Sequence, residues 1–173
     1  MDFGELAGTF LVYFLFFMAI ALIAFFISRA INKKKLGGFK KYVAEKLPNI
    51  KPEQEMLLAK QKSKQIKSDI ALLIDEDTQE IILLRDVKGT GITHHAYGYA
   101  NLKAVTSTNQ IISRGIAPKT YSYEETLHLA FNDGSGYDLI LENISNKHGS
   151  DSGATFVRNF FAPWREKLTK ITG

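Results

Sequence analysis

The sequence contains no cysteine, which excludes disulfide scaffolds, thiolate zinc sites, iron–sulfur ligation and cysteine nucleophiles. Positive charge is absent from the N-terminus, because no lysine or arginine precedes Arg29. Charge of either sign is absent between Glu5 and Arg29. With 173 residues, the chain has room for one domain with a modest core and an appendage, but not for two full domains.

The uncharged segment between Glu5 and Arg29 has the length of a membrane span. Its 23 residues would form a helix of about 34 Å, slightly longer than a hydrocarbon core of about 30 Å. A cleavable secretory signal begins with basic residues and has a shorter apolar stretch, whereas this chain begins with Asp2 and Glu5. We therefore predict a retained transmembrane helix within an N-terminal unit of residues 1–31.

Basic residues follow the apolar segment directly, namely Arg29, Lys33, Lys34, Lys35, Lys40 and Lys41. Lysine and arginine near the end of a span mark its cytoplasmic side. The pattern predicts a single-pass protein of the cell inner membrane. Its N-terminus would lie outside, and its C-terminal part would be cytoplasmic.

Positive charge is concentrated in the segment after the span. Residues 29–67 hold 12 lysines and arginines against three acidic residues, whereas residues 68–173 carry a net charge of −3. Since the folded part lacks an excess of positive charge, we do not expect a nucleic-acid partner. Residues 32–67 are predicted to be a basic juxtamembrane connector that is partly helical. It would contain a short amphipathic helix over 38–47 and a second helix from about Pro52.

Two interpretations of this connector remain open. In the first, its lysines hold the domain against anionic lipid headgroups, at about 1 kcal/mol for each basic residue near the surface. In the second, the lysines only fix topology and solvate a helix. The predicted membrane-surface contacts are Lys33, Lys34, Lys35, Lys40 and Lys41.

Residues 68–173 have the pattern of an antiparallel β domain. Two short apolar runs, 70–74 and 81–84, flank a turn rich in acidic residues and predict a hairpin. Further strands are predicted over 102–108, 126–131 and 137–141. In the segment 126–131 apolar and polar residues alternate, which indicates a sheet with one buried face.

The chain ends with a helical pattern. Apolar residues recur there at steps of three, four and seven residues, which predicts an amphipathic helix packed on the sheet. Pro163 falls inside the pattern and predicts a kink or a break. The predicted core anchors of this helix are Phe160, Phe161, Trp164 and Leu168. The predicted fold class is α+β: a transmembrane helix, then a small antiparallel β domain resembling a partly open barrel, closed by the C-terminal helix.

A family resemblance rests on four features of residues 66–173. They are the Asp75-Glu76-Asp77 turn, the strand entry from Tyr99 to Val105, the second hairpin and a closing helix centred on Trp164. This arrangement resembles the pleckstrin-homology-like domains of small uncharacterised bacterial membrane proteins. Those families often have acidic residues in the middle strand, where this chain has Asn101 and Thr106. The resemblance implies a binding module rather than an enzyme.

The remaining polar clusters favour no catalytic, cofactor or metal site. His94 and His95 are adjacent in a glycine-rich loop, and adjacent residues on an extended chain point in opposite directions. The acidic cluster at 75–77 lies at a predicted hairpin tip, where nothing would desolvate it and raise a pKa. We therefore expect no enzyme activity and no cofactor.

The sequence thus predicts a membrane-anchored cytoplasmic adaptor. Its partners would be the lipid bilayer, anionic headgroups and a protein of unknown identity. The alternative is a small membrane effector, such as a prophage-type exclusion or immunity protein, that acts through its transmembrane helix on another membrane protein. Replacing the helix by an unrelated span would separate the two.

Overall fold

The computed structural model describes residues 3–51, 54–62, 67–87, 89–114, 120–145 and 151–173. A long helix is followed by a seven-stranded antiparallel sheet and a second helix, which confirms the predicted α+β fold class. The elements are α1 (Phe3–Lys46), β1 (Leu57–Lys62), β2 (Lys67–Asp75), β3 (Glu80–Val87), β4 (Gly91–Gly98), a 3-10 turn (Tyr99–Asn101), β5 (Leu102–Arg114), β6 (Thr120–Phe131), β7 (Gly136–Ser145) and α2 (Asp151–Thr172).

Helix α1 is continuous over 44 residues. In the described part of the chain, it is the one helix long and apolar enough to cross a membrane by length and composition. Every side chain from residue 10 to residue 34 is exposed. The helix ends at Lys46, two residues before Pro48, because proline disfavours helical conformation in the residue before it.

The two helices predicted in the connector, residues 32–67, are not present as separate helices among the described residues. The short helix predicted over 38–47 is the last part of α1 and not a separate element. The predicted second helix is wrong, because residues 57–62 form β1, which pairs with β2 over its whole length. The predicted start of that helix, Pro52, lies outside the described residues. Leu57 and Ala59 are buried while Lys60 is exposed, so the period of the burial is that of a strand.

The strands follow the order β4-β3-β2-β1-β7-β6-β5 in one open sheet. Among the described residues, β1 joins β7 through a single register pair, Lys60 with Ile140. The sheet is curled, as a contact between two distant strands shows. Strands β4 and β6 are five positions apart in the strand order, yet Tyr97 on β4 stacks on Phe131 of β6 with 3.8 Å between the ring centroids. The Tyr97 hydroxyl also lies 3.1 Å from that of Tyr137 on β7. Side chains from distant strands therefore meet across the concave face.

Strands β2 and β3 are buried on both faces. On the concave face, the core includes Ile70, Leu72, Ile81 and Leu83 together with side chains of α2. On the opposite face, a second core includes Ala71, Leu73, Ile82 and Leu84 together with Phe39 and Val43 of α1. The unbroken apolar runs in these strands follow from this double burial, which is typical of strands covered on both sides.

Helix α2 buries three of its four predicted anchors, namely Phe161, Trp164 and Leu168. The prediction was wrong for Phe160, whose side chain is 45% exposed. Adjacent residues on a helix point about 100° apart, so Phe160 and Phe161 cannot both face the sheet. Helix α2 continues through Pro163 without a break.

Candidate functional site

An open groove lies between the middle of α1, the β1–β7 seam and the first half of α2. We call it the α1–α2 groove, and its volume is about 630 Å³. Four elements that are distant in sequence form its walls. Side chains from these walls are Arg29, Lys33 and Leu36 of α1, Leu58 of β1, Leu141 and Glu142 of β7, and Phe156, Val157 and Phe160 of α2.

The α1 wall of the groove belongs to one face of the helix, and the burial of the side chains on this face increases toward the C-terminal end of α1. Arg29, Lys33 and Leu36 follow one another at steps of four and three residues, so they share this face. Further along the same face, Phe39 and Val43 are fully buried in the second core. One face of α1 therefore passes from the exposed apolar segment, through the groove, into the folded domain.

The α2 wall of the groove carries two exposed aromatic rings. Phe156 and Phe160 are 61% and 45% exposed, and they stack with 6.3 Å between the ring centroids. The floor is apolar, because Leu58 and Leu141 present half-buried side chains there. Glu142 supplies an acidic group to the lining, and its carboxylate accepts a hydrogen bond from the Ser122 hydroxyl.

The predicted membrane-surface lysines occupy different environments. Lys33 lines the α1–α2 groove, and Lys34 is exposed on another side of α1. Lys35 forms an ion pair of 2.8 Å with Asp69 of β2, so it fastens α1 to the sheet. Lys40 is half-buried, and Lys41 lies 3.8 Å from Glu45 one helical turn away. The five lysines thus do not form a single surface.

The predicted glycine-rich loop around the two histidines is wrong, because residues 91–98 form β4. His94 faces α1, where its Nδ1 lies 3.0 Å from the Tyr42 hydroxyl. His95 points to the opposite face and stacks near Tyr97. Within the described residues, no group of three histidine or acidic side chains has the arrangement needed to hold a metal ion.

The acidic turn between β2 and β3 holds a buried carboxylate, contrary to the expectation that nothing would desolvate it. Asp75 is 1% exposed and accepts hydrogen bonds from Gln54 Nε2 at 2.7 Å and Thr78 Oγ1 at 2.6 Å. Burial acts to raise the pKa of Asp75, but hydrogen bonds from Thr78, Gln54 and the Asp77 backbone outweigh it, and the pKa lies below its ordinary value. The carboxylate fastens the segment after α1 to the hairpin.

A second buried acid, Glu125, was missed in the sequence. It is 3% exposed, and one of its oxygens lies 3.1 Å from Arg165 Nη1. The other oxygen, Oε2, is buried without a hydrogen-bond partner among the described groups. Burial raises the pKa of Glu125, although Arg165 and Arg158 act in the opposite direction. The signal was present, since position 125 continues the alternation of buried residues 127, 129 and 131.

No family model, curated protein or solved structure matches this chain. Its function therefore has to be inferred from the geometry and charge of its own residues. The buried acids hold elements of the domain together, and Tyr42 and His94 fill the space between α1 and β4. The α1–α2 groove differs from both, because it combines open volume, exposed aromatic rings and cations.

Proposed function

We propose that this chain is a single-pass protein of the cell inner membrane whose β domain is a binding module at the cytoplasmic surface. Its partners are anionic lipid headgroups and a protein that docks on the domain. The observation that carries the proposal is the continuity of α1, which runs as one helix from a fully exposed apolar segment into the core of the domain.

The dimensions of α1 support this placement. Residues 10–31 form about 33 Å of helix, which matches a hydrocarbon core of about 30 Å. Phe39, the first buried residue of α1 in the domain, lies eight residues beyond Ile31 and thus about 12 Å along the helix. The domain is therefore held next to the bilayer by a helix and not by a flexible linker.

The distribution of charge supports the cytoplasmic orientation. No basic residue precedes the span, whereas Arg29 lies in its last turn and five lysines follow within ten residues of Ile31. Each unpaired lysine near an anionic leaflet contributes about 1 kcal/mol of attraction. Lys35 is already paired with Asp69 at 2.8 Å, whereas the contact of Lys41 with Glu45 is long, at 3.8 Å, and exposed to solvent. The proposed contacts are therefore chiefly Lys33, Lys34, Lys40 and Lys41.

Binding rather than catalysis is supported by the state of the buried acids. Asp75 is occupied by several hydrogen bonds. Glu125 lines a cavity of about 330 Å³ between β6 and α2, but it is 3% exposed and one of its oxygens is held by Arg165, so among the described residues the cavity lacks the converging catalytic groups of an active site. The open, curled sheet with a closing helix agrees in outline with the resemblance to pleckstrin-homology-like modules.

Orientation is tested by fusing the C-terminus to a reporter that is active only outside the cytoplasm. The reporter should stay inactive in cells, and the same reporter fused to the N-terminus should be active. The reverse pattern would overturn the cytoplasmic assignment.

Contact with headgroups is tested by energy transfer from Trp164, the single tryptophan, to a dansyl-labelled lipid in vesicles containing the full chain. A flexible glycine-serine insertion between Ile31 and Asn32 releases the domain from the span but leaves the lysines on the domain side. On neutral vesicles the insertion should lower the transfer, and on anionic vesicles the lysines should restore it at low salt.

The matched variant of the inserted chain replaces Lys33, Lys34, Lys40 and Lys41 by glutamine and keeps the Lys35–Asp69 ion pair. It should lose the restoration on anionic vesicles. Equal transfer on neutral and anionic vesicles for the inserted chain would show that the lysines serve only as topology signals. The attraction should also weaken as salt rises, since exposed charges are screened beyond about 8 Å at physiological ionic strength.

The alternative function, a small effector acting through its span, is favoured by the exposed aromatic side chains of α1. They are Phe10, Tyr13, Phe14, Phe16, Phe17, Phe25 and Phe26. Replacing residues 6–28 by an unrelated apolar helix should preserve crosslinks to neighbouring proteins if the domain carries the function. Loss of those crosslinks would favour the effector.

A further inference from the structure

The α1–α2 groove holds two cations that lack an acidic partner in the described part of the protein. Arg29 and Lys33 are one helical turn apart, and their Cβ atoms are expected about 5–6 Å from each other. Two other lysines of α1 are paired, Lys35 with Asp69 and Lys41 with Glu45. Unpaired positive charge is therefore present on the α1 wall of the groove.

We propose that the α1–α2 groove binds a single anionic phospholipid from the domain-side leaflet. The phosphate lies at Arg29 and Lys33, and an acyl chain extends along the apolar floor toward α2. This inference rests on the proposed function, because it requires that the groove faces a bilayer.

The two cations suit a phosphate group. Arginine binds phosphate oxygens in a bidentate manner, and lysine adds a compact positive charge. The carboxylate of Glu142 lies on the β7 wall and would repel an anion placed there. The charges of the lining thus direct the phosphate to the α1 wall.

The rest of the groove suits a hydrocarbon chain. Its volume of about 630 Å³ lies within the range of about 300–1,000 Å³ that is typical of small-ligand sites. Leu36, Leu58 and Leu141 present partly buried apolar surface to it. Phe156 and Phe160 leave apolar ring surface exposed, and an acyl chain would cover that surface.

The position of the groove along α1 allows a lipid to enter from the side. Arg29 lies in the last turn of the apolar segment, which ends at Ile31. Lys33 lies two residues beyond Ile31, about half a helical turn. If the hydrocarbon core ends near Ile31, Lys33 lies about 3 Å beyond its edge, and Arg29, about 3 Å inside it, reaches the headgroups by extending its long side chain. A lipid beside α1 then reaches the groove without leaving its leaflet.

The test uses the full chain in lipid nanodiscs that contain a photoactivatable phosphatidylglycerol with a diazirine in its acyl chain. A phosphatidylcholine with the same acyl chain is the neutral probe, and crosslinked residues are mapped by mass spectrometry. We expect phosphatidylglycerol to label the α2 segment around Phe156 and Phe160 at least fivefold more than phosphatidylcholine. Both probes should label the apolar segment of α1 equally.

The decisive variant is Arg29→Gln/Lys33→Gln, and its control is Lys46→Gln/Lys103→Gln, which removes the same charge from exposed positions outside the groove and outside the proposed headgroup contacts. The first should lower phosphatidylglycerol labelling of α2 at least fivefold, and the control should leave it unchanged. All four side chains are exposed, and unchanged Trp164 fluorescence would verify that the domain is folded.

Equal labelling of α2 by the two probes, or an equal loss in both variants, would overturn the groove proposal. Energy transfer from Trp164 to the bilayer distinguishes this failure from failure of the proposed function. If transfer in the full chain is high and α2 labelling is not selective, the groove proposal alone is wrong. If transfer is absent, the domain does not lie at the membrane and both proposals fail.

Discussion

Two adjacent phenylalanines of α2 give a matched test of how this helix packs. Phe161 is fully buried, whereas Phe160 is 45% exposed. A buried aromatic side chain removes about 150–250 Å² from water, so Phe160 buries about 90 Å² less than Phe161. At about 25 cal/mol per Å², this difference corresponds to about 2 kcal/mol of unfolding free energy. Both alanine variants gain the same helix propensity, so that contribution cancels.

We expect Phe161→Ala to lower the free energy of unfolding by about 3–5 kcal/mol, because it also leaves a cavity in the core. Phe160→Ala should lower it by about 1–2 kcal/mol, since water fills the vacated space. The measurement is urea unfolding of the full chain in detergent micelles, followed by the fluorescence of Trp164, which lies one turn from Phe161 in the same core. Equal losses, or a larger loss for Phe160→Ala, would refute this orientation of α2.

Three further predictions concern the sheet domain and are tested by thermal unfolding. Because the pKa of Asp75 is lowered, its stabilising effect is full above the ordinary value of about 3.8 and is lost as pH falls through the folded-state pKa. Asp75→Asn should therefore lower the Tm more at pH 7 than at pH 3. The pKa of Glu125 is raised above its ordinary value of about 4.5. Its contribution to the stability of the fold is therefore full below about pH 4.5 and is lost as pH rises through the folded-state pKa. Glu125→Gln should remove this loss of stability, so the Tm of the variant should change less between pH 4.5 and pH 7 than that of the unmodified chain. The same change in Tm for both would contradict the prediction. Gln79 has φ of +55°, so Gln79→Gly should stabilise the fold by about 1 kcal/mol, whereas Gly134→Ala, at φ of +84°, should destabilise it.

The sequence predicted the elements that have strong local patterns. The hairpin of β2 and β3 was found because two apolar runs flank a turn rich in acidic residues. What the pattern did not reveal is that the second face of these strands is covered by α1. The run 70–74 is apolar without alternation, and this is the signal of a strand buried on both faces.

Strands β1 and β4 were missed although each pairs with its neighbour in the chain, because polar and charged side chains interrupt their apolar patterns. Strand β1 contains Lys60 and Lys62, and lysines following acidic residues near the start of the segment resemble the charge pattern of a helix. Its neighbours in the sheet are β2 and β7, and β7 begins more than 70 residues later. In β4 the inward residues include His94, whose contact with Tyr42 of α1 exists only in the folded chain.

The candidate site was predictable only in part. Lys33 was singled out from its position after the span, but its neighbours in the groove come from β1, β7 and α2. No spacing in the sequence relates Leu58 or Phe160 to Arg29. Phe160 was assigned to the core because the helical period alone does not decide which of two adjacent apolar residues faces inward.

The boundary between anchor and domain falls inside α1 and not at the start of the sheet. Phe39 and Val43 form one core with Ala71, Leu73 and other residues on one face of β2 and β3. A fragment that began after α1 would expose this face, and the lost burial would favour aggregation or unfolding. The helix that spans the bilayer in our proposal is therefore also a structural part of the domain, so a change in its tilt is transmitted to the sheet. Gly38 lies close to Ile92 of β4, where a Cβ atom would be 4.0 Å from the isoleucine side chain. The close approach of α1 to β4 and the double burial of β2 and β3 thus have one consequence, which is that the orientation of the domain relative to α1 is fixed.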